Sequence, residues 1–189
     1  MTNRRKLTFV TKNKEKISDI TKMLGDKIDL KFLSELELLE IQSLSVEEVV
    51  AFKAKQAHEI LGVPVAVSDS GLEIKSLNNF PGALVKFVNE TIGQEGIVRL
   101  LENNQDRKSF FVAAIGYCDS KHGTKVFVER DEGTIAQEPR GKGWHFDCIF
   151  VPKGDTRTWA EIGRKRKNED SAFRRALEKM FNFLLKNDK

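Results

Sequence analysis

Apolar positions along the first half of the chain follow two different periods in turn. Short apolar runs rich in β-branched and aromatic residues predict strands, and apolar residues spaced three and four apart predict helices. Ser45 and Glu48 have the spacing of a capping box, which is typical of a helix start. The predicted elements of this half are strands at 6–11, 30–33 and 64–67, and helices at 13–25, 45–62 and 84–101.

The second half of the chain predicts a long hairpin. Residues 109–119 and 124–134 are two β-rich runs, and the four residues 120–123 between them have the composition of a tight turn. A short strand near 148–151 and a last helix at 171–185 follow. Strand–helix alternation followed by a hairpin predicts a mixed α/β fold with at least one antiparallel pair, rather than a plain doubly wound parallel sheet.

Composition favours one globular domain over residues 1–189. Apolar residues make up 40% of the chain and charged residues 32%, which is enough for a buried core and too apolar for a disordered chain. The longest nearly apolar run, 110–118, is about half of what a membrane span needs, so no membrane partner is expected. Cys118 and Cys148 are the only cysteines, which excludes a disulfide framework and suits a cytoplasmic location.

The charge balance is mildly basic. Lys and Arg number 32 against 28 Asp and Glu, a net charge of +4, which is compatible with a phosphate-bearing ligand. A nucleic-acid-binding protein would show clustered Lys and Arg interleaved with aromatic residues. The only dense basic run is 164–167, and by itself it is typical of a solvated loop. No nucleic-acid partner is therefore expected.

The segment Thr11-Lys12-Asn13-Lys14-Glu15-Lys16 joins the first predicted strand to the first predicted helix. Backbone N–H groups at a helix start attract anions, and a lysine in the first turn adds a positive charge. Thr11, Asn13 and Lys16 are therefore candidates for phosphate binding. The same residues are equally typical of a plain N-cap at Asn13 with a solvated Lys16. Both interpretations stay open.

Asp69 comes just past a buried-looking strand and is followed by Ser70 and Gly71. Ligands of α/β sheets gather outside the carboxyl ends of strands, and glycine lets the backbone approach them closely. A carboxylate placed there can hold Mg²⁺ or orient a water molecule. An Asx-turn that only ends the strand is the alternative.

The glycine-rich segment 141–147 places the aromatic side chains of Trp144 and Phe146 next to Asp147. Such a loop suits stacking on a flat ring whose N–H groups donate to the carboxylate, although packing in the core explains most aromatic pairs. Lys167 leads into the last predicted helix, where Ser171 has the usual chemistry of a cap.

In their order along the chain, these segments resemble the inosine triphosphate pyrophosphatase family over nearly the whole length. Residues 11–16 resemble the family's T-x-N-x-x-K opening, and 68–72 resemble its (E/D)-D-(S/T)-G-L segment. Further matches are Glu40-Ile41-Gln42, Lys53, Phe80-Pro81-Gly82, 133–135 with 139–141, 144–147, 158–161 and Lys167-Asn168. The resemblance rests on the number of these short matches and on their order.

The resemblance implies an elongated mixed sheet flanked by helices, with two lobes and a central nucleotide cleft. It also implies a homodimer and Mg²⁺-dependent hydrolysis of a nucleoside triphosphate to the monophosphate and pyrophosphate. The implied substrates carry a non-canonical purine, as in ITP, dITP or XTP, or another modified base. A non-catalytic nucleotide-binding protein that kept the cleft is the alternative.

The resemblance also implies roles for individual residues. Asp69 would position or deprotonate the attacking water, with Lys16 and Lys53 as the other catalytic residues. Glu40 and Asp69 would hold the metal. The implied substrate-binding residues are Thr11, Asn13, Lys16, Lys53, Ser70, Gly71, Trp144, Phe146, Asp147, Lys167 and Ser171.

The chain departs from the family pattern before its last helix. The family has S-H-R there, whose His and Arg touch the keto edge of the purine, and this chain has Ser171-Ala172-Phe173. Because unpaired polar edges are costly, the missing donors predict a weaker preference for 6-oxo purines. His145 or Arg174 could supply a substitute donor. Ser68 also stands where the family has an acidic residue.

Overall fold

The computed structural model describes residues 5–143 and 145–187. A single seven-stranded sheet runs through this part of the protein. Its strands are Lys6–Val10 (β1), Asp29–Leu33 (β2), Val65–Ile74 (β3), Pro81–Gly82 (β4), Lys108–Asp119 (β5), Gly123–Ile135 (β6) and Phe150–Pro152 (β7). The helices are Lys14–Leu24 (α1), Val46–Leu61 (α2), Val85–Thr91 (α3), Gly93–Leu100 (α4), Trp159–Ile162 (α5), Arg164–Lys167 (α6) and Ala172–Lys186 (α7).

The sheet is mixed, as the sequence predicts. The strand order is β2-β1-β3-β5-β6-β7, with β4 paired to β3 outside this path. Strand β1 lies parallel to both β2 and β3, and every other pairing is antiparallel. The long hairpin of β5 and β6 is the largest pairing and confirms the predicted turn at 120–123.

Helices α2 and α7 cover opposite faces of the sheet. Side chains of β5 alternate between the two faces, as the two-residue period of a strand requires. Val112 and Ala114 pack with α2, whereas Ile115 and Tyr117 pack with α7. Both faces are therefore buried along β5, which explains why this strand is apolar almost throughout.

Strand β3 is longer than the sequence predicts, and Asp69 lies inside it rather than past its end. β1 pairs with β3 only as far as Val10, which lies opposite Val67. Beyond that point β5 continues as the antiparallel partner, so the strand does not stop. Asp69 therefore lies beyond the carboxyl end of β1, where the sheet has lost one neighbouring strand.

Two other local predictions need correction. Ser45 caps α2 by accepting the Glu48 N–H at 3.2 Å, but its own N–H donates to Ser43 Oγ at 3.0 Å, so the reciprocal half of the capping box is absent. The helix predicted at 84–101 is two helices, since Gly93 at φ +65° interrupts it after Ile92.

None of the helices within 5–143 and 145–187 combines the length and the apolar character that crossing a bilayer requires.

Candidate active site

Lys53 lies between two carboxylates at the edge of the sheet where β1 ends. Its Nζ is 2.5 Å from Glu40 Oε1 and 3.5 Å from Asp69 Oδ2. α2 carries Lys53, β3 carries Asp69, and the loop before α2 carries Glu40. Burial disfavours the charged form of Lys53, but the carboxylates outweigh it, so the pKa of Lys53 is raised above its ordinary value.

Lys16 approaches the same edge from the other side of the sheet. Its Nζ donates to Ser68 Oγ at 3.1 Å and lies 5.6 Å from the ring centre of Phe173. Burial lowers the pKa of Lys16 below its ordinary value; Asp69 opposes this change, and Lys53 adds to it. Lys16, Lys53 and Asp69 therefore form one electrostatically coupled group.

The first turn of α1 is built as a capped helix start. Asn13 Oδ1 accepts from the N–H groups of Glu15 and Lys16, at 2.9 and 3.2 Å, and Thr11 Oγ1 accepts from the Asn13 N–H at 3.2 Å. The N-cap interpretation of Asn13 is confirmed. Lys16 is not simply solvated, because its amino group reaches Ser68.

A cavity of about 330 Å³ opens beside this group, on the face of the sheet that α7 covers. Its floor is the sheet itself, formed by Ser70, Phe111, Ala113 and Asp131 from three neighbouring strands. Phe111 and Asp131 are directly opposite each other in the β5–β6 register, so their side chains lie next to each other on one face.

An aromatic wall closes one side of the cavity. The rings of Phe111 and Trp159 meet edge to face, with centroids 4.8 Å apart. Lys167 Nζ lies 4.3 Å from the ring centre of Trp159 and donates to Asp147 Oδ1 at 2.6 Å. Charge, hydrogen bonding and cation–π contact together fix Lys167 at the wall.

The start of α7 forms another wall. Ser171 caps the helix by accepting the Arg174 N–H at 3.2 Å, and both Ser171 and Phe173 line the cavity. Ala172 is fully buried and does not line it. Arg174 pairs with Glu178 on the exposed side of the helix, so it supplies no substitute donor inside the cavity. The side chain of His145 lies outside the described part of the chain.

The structure therefore brings most of the predicted site residues to one cleft. Asn13, Lys16, Ser70, Asp147, Lys167 and Ser171 line the cavity, and Glu40, Lys53 and Asp69 form the adjoining charged group. Thr11 holds Asn13 in position, because its Oγ1 accepts from the Asn13 N–H. Trp144 lies outside the described residues.

Two predicted binding residues are placed elsewhere. Phe146 is 4% exposed and belongs to the buried cluster behind the cavity, because its ring packs with the apolar residues around β7 and α4. Gly71 packs against the interior: a Cβ there would be 2.5 Å from Gly82 O and 2.6 Å from Val46 Cγ2. Gly71 is needed for close packing of β3 with β4, rather than for contact inside this cavity.

Sequence reasoning missed several residues that the fold brings to the cavity. The sequence pattern places Phe111 and Asp131 only in strands and Trp159 only in a family match, although all three line the cavity. The alternation of side chains along the predicted hairpin could have placed Phe111 and Asp131 on one face. No pattern among neighbouring residues indicates which face of the sheet carries the site.

The carboxylates at this edge fit a hard divalent cation. Mg²⁺ is usually held by one or two carboxylates together with substrate phosphates. Glu40 and Asp69 both contact the Nζ of Lys53, so the two carboxylates flank one position that already carries a positive charge. Among the residues that the structure describes, no group of three or more His, Cys, Asp or Glu side chains is arranged to bind a metal. Phosphate and water oxygens would have to complete the coordination.

The fold and the site together define a cleft enzyme for a ligand that joins a flat ring to a chain of anionic groups. Lys53 with Glu40 and Asp69 lies at one end of this cleft, and the paired rings of Phe111 and Trp159 form a wall of the adjoining cavity. The protein belongs to the Ham1 family, whose model matches residues 7–183.

Curated relatives share a large part of the sequence. A protein of Methanothermobacter marburgensis named dITP/XTP pyrophosphatase is 39% identical over 184 residues, which cover 96% of this chain and 97% of the relative. A protein of the same name from Methanopyrus kandleri is 44% identical over 146 residues, covering 77% of this chain and 78% of that one.

Solved structures agree with the fold. The Staphylococcus aureus Ham1 protein superposes with a TM-score of 0.85 at 26% identity, covering 97% of this chain and 100% of that one. A nucleoside-triphosphatase / dITP/XTP pyrophosphatase from Mycobacterium abscessus gives a TM-score of 0.79 at 26% identity, with 95% and 99% covered.

Proposed function

We propose that this protein hydrolyses purine nucleoside triphosphates, of the non-canonical or modified kind, to the monophosphate and pyrophosphate. The observation that carries the proposal is the placement of Lys16 and Lys53 around Asp69, next to an aromatic cavity. The names of the curated relatives, dITP/XTP pyrophosphatase, point to the same reaction.

In the proposed reaction, a water oxygen attacks the α-phosphorus, and the bond from this phosphorus to the bridging oxygen of pyrophosphate breaks. Asp69 orients the water and accepts its proton. Lys16 and Lys53 neutralise the charge of the phosphate oxygens, which is the main requirement of phosphoryl transfer. Asn13 Oδ1 keeps the first turn of α1 in place, so that Lys16 is directed at Ser68 and the cleft.

The proposal includes Mg²⁺, held by Glu40 and Asp69. When bound, the cation would neutralise part of the triphosphate charge. Lys53 already bridges the two carboxylates, so these side chains are preorganised for a positive charge. Pyrophosphate release should stop in EDTA and return with added Mg²⁺, and Glu40→Gln should raise the Mg²⁺ concentration needed for half-maximal rate.

The base is proposed to enter the cavity between the sheet floor and the aromatic wall. Phe111, Trp159 and Phe173 offer rings for stacking, and Asp147 and Lys167 lie at the edge. Placing the base there puts the phosphates at the end that holds Lys16. Incubation with Mg²⁺ and a panel of nucleoside triphosphates, with pyrophosphate release as the measurement, tests the function directly. Saturable nucleotide binding without any release would instead favour the non-catalytic alternative.

We further propose a homodimer. The side chains of Leu39 and Phe52 are 74% and 38% exposed. The Leu39 N–H donates to Oε1 of Gln56, which lies one turn after Phe52 on α2. These apolar side chains therefore lie near one another on the surface, which suits a symmetric interface. Light scattering should give twice the monomer mass at micromolar concentration, and the monomer mass there would contradict the proposal.

A cytoplasmic location is part of the proposal. Cys118 and Cys148 are both free and buried, as expected for a protein of a reducing compartment. We also propose that residues 1–189 form one pyrophosphatase domain.

A further inference from the structure

We infer that Arg175 is a positioning residue of the nucleotide site: it fastens the start of α7 to β6, so that Ser171 and Phe173 keep their places on the cavity wall. Arg175 itself is not among the described residues that line the cavity. The inference rests on the proposed function, because it names a residue that shapes the proposed base end of the site. This end is bordered by Phe111, Trp159 and Phe173.

The guanidinium of Arg175 spans three consecutive residues of β6. Nε donates to Glu129 Oε2 at 3.2 Å, and Nη2 donates to Arg130 O at 3.1 Å and to Asp131 Oδ1 at 2.7 Å. Glu129 and Asp131 are two residues apart on the strand, so their side chains lie on one face, the face that α7 covers. The planar fork of an arginine is suited to several acceptors at once, whereas a lysine offers a single point of charge.

The same guanidinium holds the turn that precedes α7. Nη1 donates to Asp170 O at 2.6 Å and to Asp170 Oδ1 at 3.2 Å. In addition, the Ala172 N–H donates at 3.0 Å to Oδ2 of Asp131, the carboxylate that Arg175 holds. The chain is therefore fixed to β6 on both sides of Ser171.

The surroundings of Arg175 differ from those of its neighbour Arg174. The side chain of Arg175 is 29% exposed, and its partners Glu129 and Asp131 are more deeply buried. Burial alone would lower the pKa of Arg175, but the hydrogen bonds to its carboxylate partners raise it above its ordinary value. Arg174 pairs with Glu178 on the exposed side of the helix. Partly buried contacts of a guanidinium with several acceptors hold a structure more firmly than an exposed ion pair does.

The start of α7 is the part of the cavity wall that these contacts fix. Ser171 and Phe173 lie on either side of Ala172, whose N–H is bound to Asp131. A wall that is ordered before the ligand arrives costs no ordering on binding. Without Arg175, the ligand itself would have to order this segment, so its affinity should fall.

The charged group of the cleft is carried by other elements. Lys16 lies on α1, Lys53 on α2 and Asp69 on β3, whereas Arg175 contacts β6 and the turn before α7. Loss of Arg175 should therefore weaken the binding of the ground state and of the transition state alike. Such a loss raises KM and leaves kcat unchanged.

Arg175→Gln is the informative variant, and Arg174→Gln is its matched control. Both remove one positive charge from neighbouring positions of the same helix, and Arg174 pairs with Glu178 rather than with β6. Arg175→Lys keeps the charge but cannot reach the acceptors on β6 and Asp170 together, so it should keep most of the defect. Glu129→Gln weakens the same contact from the strand side, and it serves if Arg175→Gln does not fold.

The measurements are KM and kcat for inosine triphosphate with excess Mg²⁺, and the inhibition constant of inorganic tripolyphosphate, which has no base. Arg175→Gln should raise KM about 10-fold, with kcat and the inhibition constant changed less than about 2-fold. Arg174→Gln should leave all three values unchanged, and Glu129→Gln should raise KM by roughly 3-fold. General destabilisation would instead lower the folded fraction and the apparent kcat without changing KM, and melting curves measure that fraction.

Calorimetric binding of inosine monophosphate to the same proteins separates the inference from the proposed function, because it needs no hydrolysis. If no triphosphate is hydrolysed but Arg175→Gln weakens this binding and Arg174→Gln does not, the pyrophosphatase proposal fails and the inference holds. Hydrolysis with the same KM in folded Arg175→Gln as in the unmodified protein overturns the inference and leaves the proposed function standing.

Other results would also overturn the inference. If tripolyphosphate inhibition weakens as much as KM rises, the effect lies at the phosphates rather than at the base. Full recovery in Arg175→Lys would assign the effect to charge alone. If Arg175→Gln does not fold, an unchanged KM in folded Glu129→Gln overturns the inference as well.

Discussion

Lys16 Nζ donates to Ser68 Oγ at 3.1 Å, joining the first turn of α1 to strand β3 beside Asp69. A hydroxyl offers Lys16 a hydrogen bond but no negative charge. Burial therefore prevails, and the pKa of Lys16 is lowered. An incoming triphosphate would supply the charge that Ser68 does not.

This relationship predicts a pH-dependent affinity. As the pH rises through the lowered pKa of Lys16, the positive charge is lost, so KM for the triphosphate should increase in the alkaline range. Lys16→Arg should remove this increase, because the guanidinium stays protonated. Lys16→Ala should raise KM at a pH below that pKa and should show no alkaline increase. The measurement is KM against pH for the three proteins, and identical profiles for the unmodified protein and Lys16→Arg would contradict the prediction.

The lowered pKa of Lys16 should change the stability of the protein in the opposite direction to its substrate affinity. Between the lowered pKa of folded Lys16 and its ordinary value, the unfolded state binds more protons, so the free energy of unfolding contributed by this group rises with pH. At alkaline pH, the free energy of unfolding contributed by Lys16 should therefore rise while the affinity for the triphosphate falls.

Asp69→Asn should lower kcat by at least ~10²-fold with the fold intact, since the amide can neither accept the proton of the water nor offer a charged ligand to the cation. Asp155→Asn is the control, because Asp155 pairs with Arg157 in an exposed turn outside the cavity. Circular dichroism and single-turnover rates are the measurements. Near-normal turnover of folded Asp69→Asn would remove this carboxylate from the mechanism.

Phe173→Arg should increase the preference for inosine triphosphate. Phe173 lines the cavity 5.6 Å from Lys16, so an arginine there brings N–H donors to a site that now offers a ring. A charged hydrogen bond to a keto oxygen corresponds to about 10- to 100-fold in kcat/KM for inosine over adenosine triphosphate. Phe173→Leu is the control, because it removes the ring and adds no donor. If both variants change the ratio equally, loss of stacking is the cause.

Acid should destabilise the protein through Asp119. Although burial alone would raise it, hydrogen bonds from Tyr117 and His122 lower the pKa of Asp119 from 3.8 to about 2. Its stabilising contribution is therefore present above the unfolded pKa and is lost as the pH falls from about 4 toward 2. The side chain is 7% exposed, and the shift corresponds to about 2 kcal/mol in the free energy of unfolding.

Denaturant unfolding of Asp119→Asn against pH checks this prediction. The variant should be less stable at neutral pH and should lose less stability on acidification. Glu178→Gln is the control, since Glu178 forms an exposed pair with Arg174 on α7 and should contribute little. An unchanged acid profile in Asp119→Asn would assign the acid sensitivity to other carboxylates.

The sequence by itself predicts helix caps and turns, because a few neighbouring residues determine these structures. Asn13 and Ser171 cap helices because their side chains reach N–H groups two or three residues further on. The hairpin of β5 and β6 follows from two β-rich runs and a short turn between them. The order of the short motifs along the chain also indicates the family without any tertiary contact.

Strand pairing decided what the sequence could not. Whether Asp69 ends a strand or lies within one depends on β5, a partner more than forty residues away in the chain. The face on which Phe111 and Asp131 meet depends on the register of β5 with β6, because a shift of one residue would turn every side chain to the other face. Phe146 lies in the core and Phe173 lines the cavity. The position of each ring depends on how its own element packs against the sheet, and no local sequence pattern specifies this packing.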